Sequence, residues 1–125
     1  MKQTFNKNER LKSDKRIEFL FKSGNAIKAF PFKALYYAEE TPRDWPLRLA
    51  VSVPKRSFKK AVDRNRIKRL MREAWRVNNV QLKESLSASS KSMDVFLLYT
   101  GKKLPEFDEV ESKINEILKR LSEGL

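Results

Sequence analysis

Residues 47–80 read LRLAVSVPKRSFKKAVDRNRIKRLMREAWRVNNV, and this stretch decides the predicted fold. From Leu47 to Val53, apolar side chains alternate with small or polar ones, a pattern typical of a β-strand with one buried face. Pro54 ends the strand, and apolar residues then recur at helical spacing from about Lys59 to Val80. A strand that leads into a long amphipathic helix indicates an α+β protein whose helices pack against a sheet.

Most of the net positive charge of the chain lies on this helix and the turn before it. The chain has 28 Lys and Arg against 16 Asp and Glu, a net charge of +12, and residues 55–76 contribute +8 of it. On a helical wheel of about 100° per residue, the apolar side chains occupy one side and the cations the other. Such a face favours a polyanionic partner, because cations beside phosphates release condensed counterions. The alternative is a solvated helix face, but solvated faces usually interleave acids with bases.

Three further elements are predicted on the N-terminal side of this stretch. A first helix should run from Ser13 or Asp14 to Lys22, since Ser and Asp are good helix N-caps. Two strands are predicted between Asn25 and Glu39, where β-favouring residues are interrupted near Pro31. Residues 39–46 are expected to form a loop, and residues 1–10 a flexible N-terminal segment.

The C-terminal side predicts one more strand and one more helix. The Ser content of residues 83–92 favours a loop, and Met93 to Thr100 reads as a strand buried on both faces. A last helix should start near Pro105, a good first-turn residue. The predicted order is therefore α-β-β-β-α-β-α, a two-layer α/β sandwich of the α+β class that forms a single domain over residues 1–125.

Several classes of function are excluded by residues that the chain lacks. It has no Cys and no His, which rules out disulfides, thiolate metal sites and catalytic triads that depend on His. The 16 carboxylates form no close cluster of the kind that a two-metal nuclease needs, so no catalytic residue and no metal site are predicted. The sequence shows no membrane span and no signal peptide, and the cytoplasm is the expected location.

Five segments of the sequence match a known family. The run DRNRIKRLMRE at residues 63–73 closely resembles the signature of the bacterial ribonuclease P protein component. Also similar to segments of that family are SVPKR at residues 52–56, Lys60–Val62, Arg10–Lys12 and FKxG at residues 21–24. The resemblance extends over roughly residues 8–121, which is nearly the whole chain.

Two positions depart from the family pattern. Residues 57–60, SFKK, make the segment before the helix one residue longer than is usual in the family. Ile17 occupies a position of the first helix that is commonly Phe in the family, so an aromatic contact to substrate is in doubt there.

The resemblance implies a fold and a division of labour. The fold would contain a left-handed β-α-β crossover, as in the second domain of ribosomal protein S5, although right-handed crossovers predominate. The partners would be ribonuclease P RNA and precursor tRNA, with neither a membrane nor DNA, and the RNA subunit would hold most of the Mg²⁺ and perform the cleavage. The RNA-binding side chains would be Arg64, Asn65, Arg66, Lys68, Arg69, Arg72, Lys55 and Arg56.

The resemblance also implies a cleft between the sheet and the first helix for the single-stranded 5′ leader of precursor tRNA. Such a cleft needs aromatic rings on which bases stack and cations along the backbone. The candidates are Phe21 and Ile17 on the first helix and Phe32 and Tyr36 on a strand, where they share parity. Each aromatic residue could instead belong to the core, and a slip of one residue would exchange Tyr36 for Tyr37.

Three other functions remain open at this point. A ribosomal-type RNA-binding protein or an RNA chaperone without a role in cleavage would also carry a basic helix on a sheet. A DNA-binding protein is less favoured, because the sequence lacks dimerisation heptads and a compact helix-turn-helix. A stand-alone metal nuclease would require metal-dependent cleavage by the protein without RNA.

Overall fold

The computed structural model describes residues 7–125 of the protein. A 3₁₀ turn at Lys7–Glu9 comes first, followed by four helices and four strands within these residues. In chain order they are α1 (Asp14–Ser23), β1 (Asn25–Ala29), β2 (Phe32–Glu39), β3 (Leu47–Ser52), α2 (Ala61–Asn78), α3 (Val80–Ala88), β4 (Ser92–Tyr99) and α4 (Phe107–Glu123).

The four strands form one mixed sheet in the order β1-β2-β4-β3. β1 pairs with β2 and β2 pairs with β4 in antiparallel fashion, whereas β4 and the edge strand β3 are parallel. Parallel neighbours need a crossover connection, and α2 and α3 provide it. The predicted α+β architecture is confirmed, and the left-handed sense of the crossover stays a prediction.

Alternating side chains give the sheet a packed core on each face. On one face, Phe32 and Leu97 belong to the larger core, which lies beneath α2, α3 and α4. On the other face, Leu35 packs with Leu11 and with Leu20 of α1 in a smaller cluster. Helix α1 therefore lies on the opposite face of the sheet from the other three helices.

A buried carboxylate with three arginine partners connects α1 to the sheet. Asp94 of β4 has no exposed surface, and its Oδ2 lies 2.7 Å from Nε of Arg16 on α1. Arg48 of β3 donates to both oxygens, at 2.7 and 2.8 Å, and Arg43 donates to Oδ1 at 3.0 Å. Burial alone would raise the pKa of Asp94, but the hydrogen bonds from the three arginines outweigh it and lower the pKa from 3.8 to about 2.

The region after α2 differs from the sequence prediction. Val80–Ala88 forms α3, although the Ser content predicts a loop over residues 83–92. Leu82 and Leu86, which are four residues apart, are both buried in the larger core, so tertiary packing stabilises a helix of weak intrinsic propensity.

The start of the described chain differs from the predicted flexible segment. Arg10 forms a β-bridge with Leu49 of the edge strand, directly after the 3₁₀ turn. The carboxylate of Glu9 is buried and lies 2.6 Å from Nζ of Lys83 on α3. Residues 7–10 are thus packed against the fold, and residues 1–6 lie outside the described residues.

Replacing Asp94 with Asn should lower the free energy of unfolding by about 3–5 kcal/mol, because three arginines would then share a site without a negative charge. In the wild type, this carboxylate stabilises the fold at pH values above 3.8, the ordinary pKa of its side chain. That contribution, about 2 kcal/mol, should disappear as the pH falls through the folded-state pKa of about 2. Urea denaturation at several pH values measures both effects.

The matched control is Asp44→Asn, since Asp44 is exposed in the neighbouring loop. It should change the stability by less than about 0.5 kcal/mol. A D94N protein that is as stable as this control would contradict the structural importance of the cluster.

Candidate functional site

Helix α2 directs its cations away from the core. Ile67, Met71 and Trp75 are buried and attach the helix to the larger core, so the cationic side chains extend from its other side. We use the name α2 cationic face for the polar side chains on the outer side of the helix, which are Asn65, Arg66, Lys68, Arg69, Arg72 and Arg76. A shallow depression of about 320 Å³ on this side is lined by Asn65, Arg69, Arg72, Glu73 and Arg76.

The N-terminal segment adds a cation that the sequence analysis does not place on this face. Burial lowers the pKa of Arg72, and the positive charge of Arg10 lowers it further. Arg10 forms a β-bridge with Leu49 of β3, and its charge is near enough to act on Arg72 of α2. Two adjacent guanidinium groups repel each other, so a phosphate bound near both would be stabilised.

Arg64 makes contacts within the protein that the sequence does not predict. Its Nη1 donates hydrogen bonds to the backbone carbonyls of Phe58 and Lys59, at 2.7 and 2.9 Å. The side chain therefore connects the first turn of α2 to the loop before it. Lys55 and Arg56 lie exposed in that loop, so Arg64 positions two other predicted RNA-binding residues.

The other residues predicted to bind RNA are accessible. The acidic residue Glu73 lies next to the α2 cationic face and forms an ion pair with Arg76. The exposed members of the predicted set are Asn65, Arg66, Arg69, Lys55 and Arg56, and the half-buried members are Lys68 and Arg72.

The predicted cleft lies between α1 and one end of the sheet. Phe21 is 59% exposed, and its ring meets that of Phe96 on β4 in an edge-to-face arrangement with centroids 5.1 Å apart. Ile17 is half-buried and packs against the smaller core, so it supports α1 from below. Phe21 is the predicted cleft residue whose ring is open to a ligand.

Two of the predicted cleft residues lie on the wrong face of the sheet. Phe32 is 1% exposed in the larger core, where its ring is 5.4 Å from that of Tyr99. Tyr36 is half-buried against the same core. The shared parity is confirmed, but the assignment to the cleft is wrong, because the other parity of β2, which includes Leu35 and Tyr37, faces α1.

The strand register brings together further side chains on the α1 face that sequence reasoning did not select. Lys33 pairs with Leu98, and Leu98 pairs with Ser52, so these side chains lie side by side on the α1 face. All three are half-buried. Together with Phe21 and Phe96 they form the surface that we call the leader cleft. Alternation along β4 groups Phe96 with Leu98 on one face of the strand. No signal in the sequence tells which of the two faces packs against α1.

Tyr37 is on the correct face but belongs to the attachment of α1. Its ring lies edge-on to Phe19 at 5.1 Å, and the guanidinium of Arg16 lies 4.7 Å and 5.5 Å from the ring centroids of Phe19 and Tyr37. The contacts of Arg16 and Phe19 with Tyr37 hold the helix at the Asp94 end of the sheet. Among residues 7–125, Lys33, Ser52 and Leu98 at the opposite end keep part of their surface exposed.

The acidic residues offer no metal centre in the part of the chain that is described. Residues 7–125 contain no group of three or more Asp, Glu, His or Cys side chains that could hold a metal ion. Over the same residues, no helix has both the length and the apolar character needed to cross a membrane.

Known proteins resemble the chain along nearly its whole length. The family model for Ribonuclease P matches residues 5–122. The ribonuclease P protein component of Porphyromonas gingivalis is 33% identical over 116 residues, which cover 93% of this chain and 85% of that protein. The protein component of Chlorobaculum tepidum is 34% identical over 112 residues, which cover 82% of this chain and 72% of that protein.

Solved structures agree with these matches. The ribonuclease P protein of Thermotoga maritima has a TM-score of 0.66 and 28% identity, with 90% of this chain and 96% of that chain covered. The Staphylococcus aureus protein, with a TM-score of 0.69, 21% identity and coverage of 90% and 94%, shares the fold.

The matches do not favour the alternative of a ribosomal-type RNA-binding protein or an RNA chaperone. They agree with the motif at residues 63–73 and with the arrangement of helices on the sheet. The chain belongs to the ribonuclease P protein component family, whose members are subunits of the endoribonuclease that processes the 5′ end of tRNA.

Proposed function

We propose that the two surfaces of this subunit bind two different RNAs. The α2 cationic face, with Arg10 and the loop residues Lys55 and Arg56, binds the catalytic RNA. The leader cleft binds the single-stranded 5′ leader of precursor tRNA. The observation that supports this proposal best is that α1 and α2 lie on opposite faces of one sheet, each with a surface suited to RNA.

The α2 cationic face suits a folded RNA. Its guanidinium groups present several donors in a fixed planar arrangement, which matches phosphate oxygens. The α2 helix is held rigidly, since Ile67, Met71 and Trp75 are at most 1% exposed. The exposed amide of Asn65 lies among the cations and can both donate to and accept from an RNA base.

The leader cleft suits an unpaired strand. Phe21 offers a ring that is 59% exposed, and Phe96 supports it from the sheet. Lys33 supplies a cation beside them for the sugar-phosphate backbone. Proteins that bind single-stranded nucleic acid of many sequences usually combine aromatic rings and cations in one groove.

The cleavage chemistry is assigned to the RNA subunit. Residues 7–125 contain no group of three or more acidic side chains that could hold a metal ion, and we assign the Mg²⁺ that such a reaction uses mainly to the RNA. The protein contributes by binding the leader and by placing positive charge between two polyanions. Closer approach of precursor tRNA to the catalytic RNA then costs less electrostatic repulsion.

The protein by itself should not cleave precursor tRNA, because residues 7–125 contain no group of three or more metal ligands and the chain has no His to act as a general base. Addition of a bacterial ribonuclease P RNA should produce cleavage at the 5′ end of the mature tRNA, with greater activity at low magnesium than the RNA alone. Cleavage assays with each component and with both measure this. Site-specific cleavage by protein freed of all RNA would contradict the assignment.

Replacing Arg69 with Gln should weaken binding to the catalytic RNA and reduce its salt dependence. Each lost phosphate contact should reduce the magnitude of the slope of log K against log salt by about 0.7–0.9. The triple variant K68Q/R69Q/R72Q should show a cumulative loss. Filter binding over a range of salt concentrations measures the slope.

Lys119→Gln provides the control for Arg69→Gln, since Lys119 is an exposed cation on α4. Its slope should equal that of the wild type. Equal slopes for R69Q and K119Q would show that the α2 cationic face is an ordinary solvated surface.

Replacing Phe21 with Leu should weaken the binding of precursor tRNA, but not of mature tRNA, to the assembled enzyme. Loss of a stacking platform costs about 1–3 kcal/mol, which is about 5- to 150-fold in affinity. Phe21 is exposed, so the variant should fold normally. Equilibrium binding of both tRNAs measures the difference.

Tyr36→Leu is the matched control, because Tyr36 packs on the face opposite the leader cleft. It should reduce thermal stability and leave the ratio of the two tRNA affinities unchanged. If the ratio of precursor to mature tRNA affinity changes for Y36L and not for F21L, the leader binds on the face of the larger core, and the leader-cleft assignment is wrong.

A further inference from the structure

A second groove lies at the end of the sheet, between the β1–β2 turn and the start of α4. Its volume is about 880 Å³, and we call it the end groove. Phe30 and Pro31 of the turn form one wall, and Asp108 and Glu109 of α4 lie on the opposite rim. The loop after β4, with Lys102 and Lys103, closes the groove between them.

Backbone contacts fix the shape of the end groove. The amide of Thr100 donates to the carbonyl of Pro31 at 2.7 Å, and the hydroxyl of Tyr99 donates to the carbonyl of Lys103 at 2.7 Å. Gly101 lies so close to its neighbours that a Cβ there would be 2.5 Å from the Tyr99 oxygen and 3.0 Å from Cβ of Pro31. The loop is therefore held in place before any ligand binds.

The exposed groups of the end groove combine a ring with cations. Phe30 is 73% exposed and belongs to neither core. Lys102 and Lys103 are exposed, and no ion pair joins them to another residue in the range 7–125. An exposed aromatic ring beside unpaired lysines is the combination that binds an unpaired nucleotide, since the ring stacks on a base and the lysines attract the phosphate.

We propose that the end groove is a second binding site for an unpaired nucleotide, with the base on Phe30 and its phosphate beside Lys102 and Lys103. Asp108 and Glu109 favour this orientation, because they repel a phosphate from their part of the rim. Lys113 of α4 also lines the groove, and Glu116, 3.7 Å away, partly offsets its charge. The carboxylates of Asp108 and Glu109 can also accept hydrogen bonds from the amino groups of a base.

The strand register connects the end groove to the leader cleft. Lys33 and Leu98 of the leader cleft are each one residue from Phe32 and Tyr99, which pair at the end of the sheet that borders the groove. An RNA strand that leaves the leader cleft at this end therefore meets Phe30 next. The occupant is accordingly a leader nucleotide beyond those held in the leader cleft, and this inference rests on the proposed function of the leader cleft.

The test measures the affinity of the assembled enzyme for precursor tRNAs whose leaders are shortened one nucleotide at a time. Phe30→Leu should lower the affinity by about 5- to 150-fold for long leaders and leave short leaders unaffected. Phe30→Trp should retain the affinity, because an indole ring also stacks. Trp45→Leu is the control, since Trp45 is an exposed aromatic residue before β3, at the other end of the sheet.

The outcomes separate the end groove from the leader cleft. Equal affinities of F30L and the wild type at every leader length would overturn the end-groove site, and so would an equal loss for mature tRNA. If F21L weakens precursor tRNA while F30L does not, only the end groove fails. If F21L also has no effect, the proposed function of the leader cleft fails as well.

Discussion

The position of α1 depends on one buried carboxylate. Asp94 has no exposed surface and accepts hydrogen bonds from Arg16 on α1, from Arg48 on β3 and from Arg43 in the loop between β2 and β3. A buried charge without partners would be very unfavourable, and the hydrogen bonds of the three arginines together offset that cost. The apolar cluster beneath α1 is small, since Leu11, Leu20 and Leu35 are its buried members. The ionic cluster therefore determines which part of the sheet α1 covers.

The uncovered part of that face makes the molecule suitable for two RNAs. Because α1 is held over the Asp94 end of the sheet, Lys33 and Leu98 at the other end remain within reach of a ligand. On the opposite face of the sheet, α2, α3 and α4 pack to form the larger core, and the α2 cationic face points outward. One sheet thus separates a groove suited to a flexible strand from a rigid row of cations suited to a folded RNA. The physical basis is the alternation of side chains along the strands, which gives each face its own composition.

Much of this organisation follows from local sequence patterns, and the remainder depends on long-range packing. Alternation and helical periodicity predict β3, α2 and α4, and the motif at residues 63–73 predicts the family. Alternation along β2 correctly places Phe32 and Tyr36 on the same face of the sheet. It applies equally to both faces, so it cannot tell which face packs against α1. The bonds to Asp94 join residues 46 to 78 positions apart, and no local pattern contains them. The hydrogen bonds of Arg64 to the loop are not predictable for a similar reason, because the backbone acceptors depend on how the loop before α2 folds back.

The separation of the two RNA surfaces can be measured by directed hydroxyl-radical cleavage of the assembled enzyme. The chain has no Cys, so single cysteines introduced by Arg66→Cys on α2 and Lys22→Cys on α1 can each carry a tethered iron chelate. Both native side chains are exposed, and the two helices lie on opposite faces of the sheet. Radicals from position 66 should cleave the catalytic RNA and spare the leader, and radicals from position 22 should cleave the leader of bound precursor tRNA. Cleavage of the leader from position 66, or its protection from radicals at position 22, would contradict the division between the two faces.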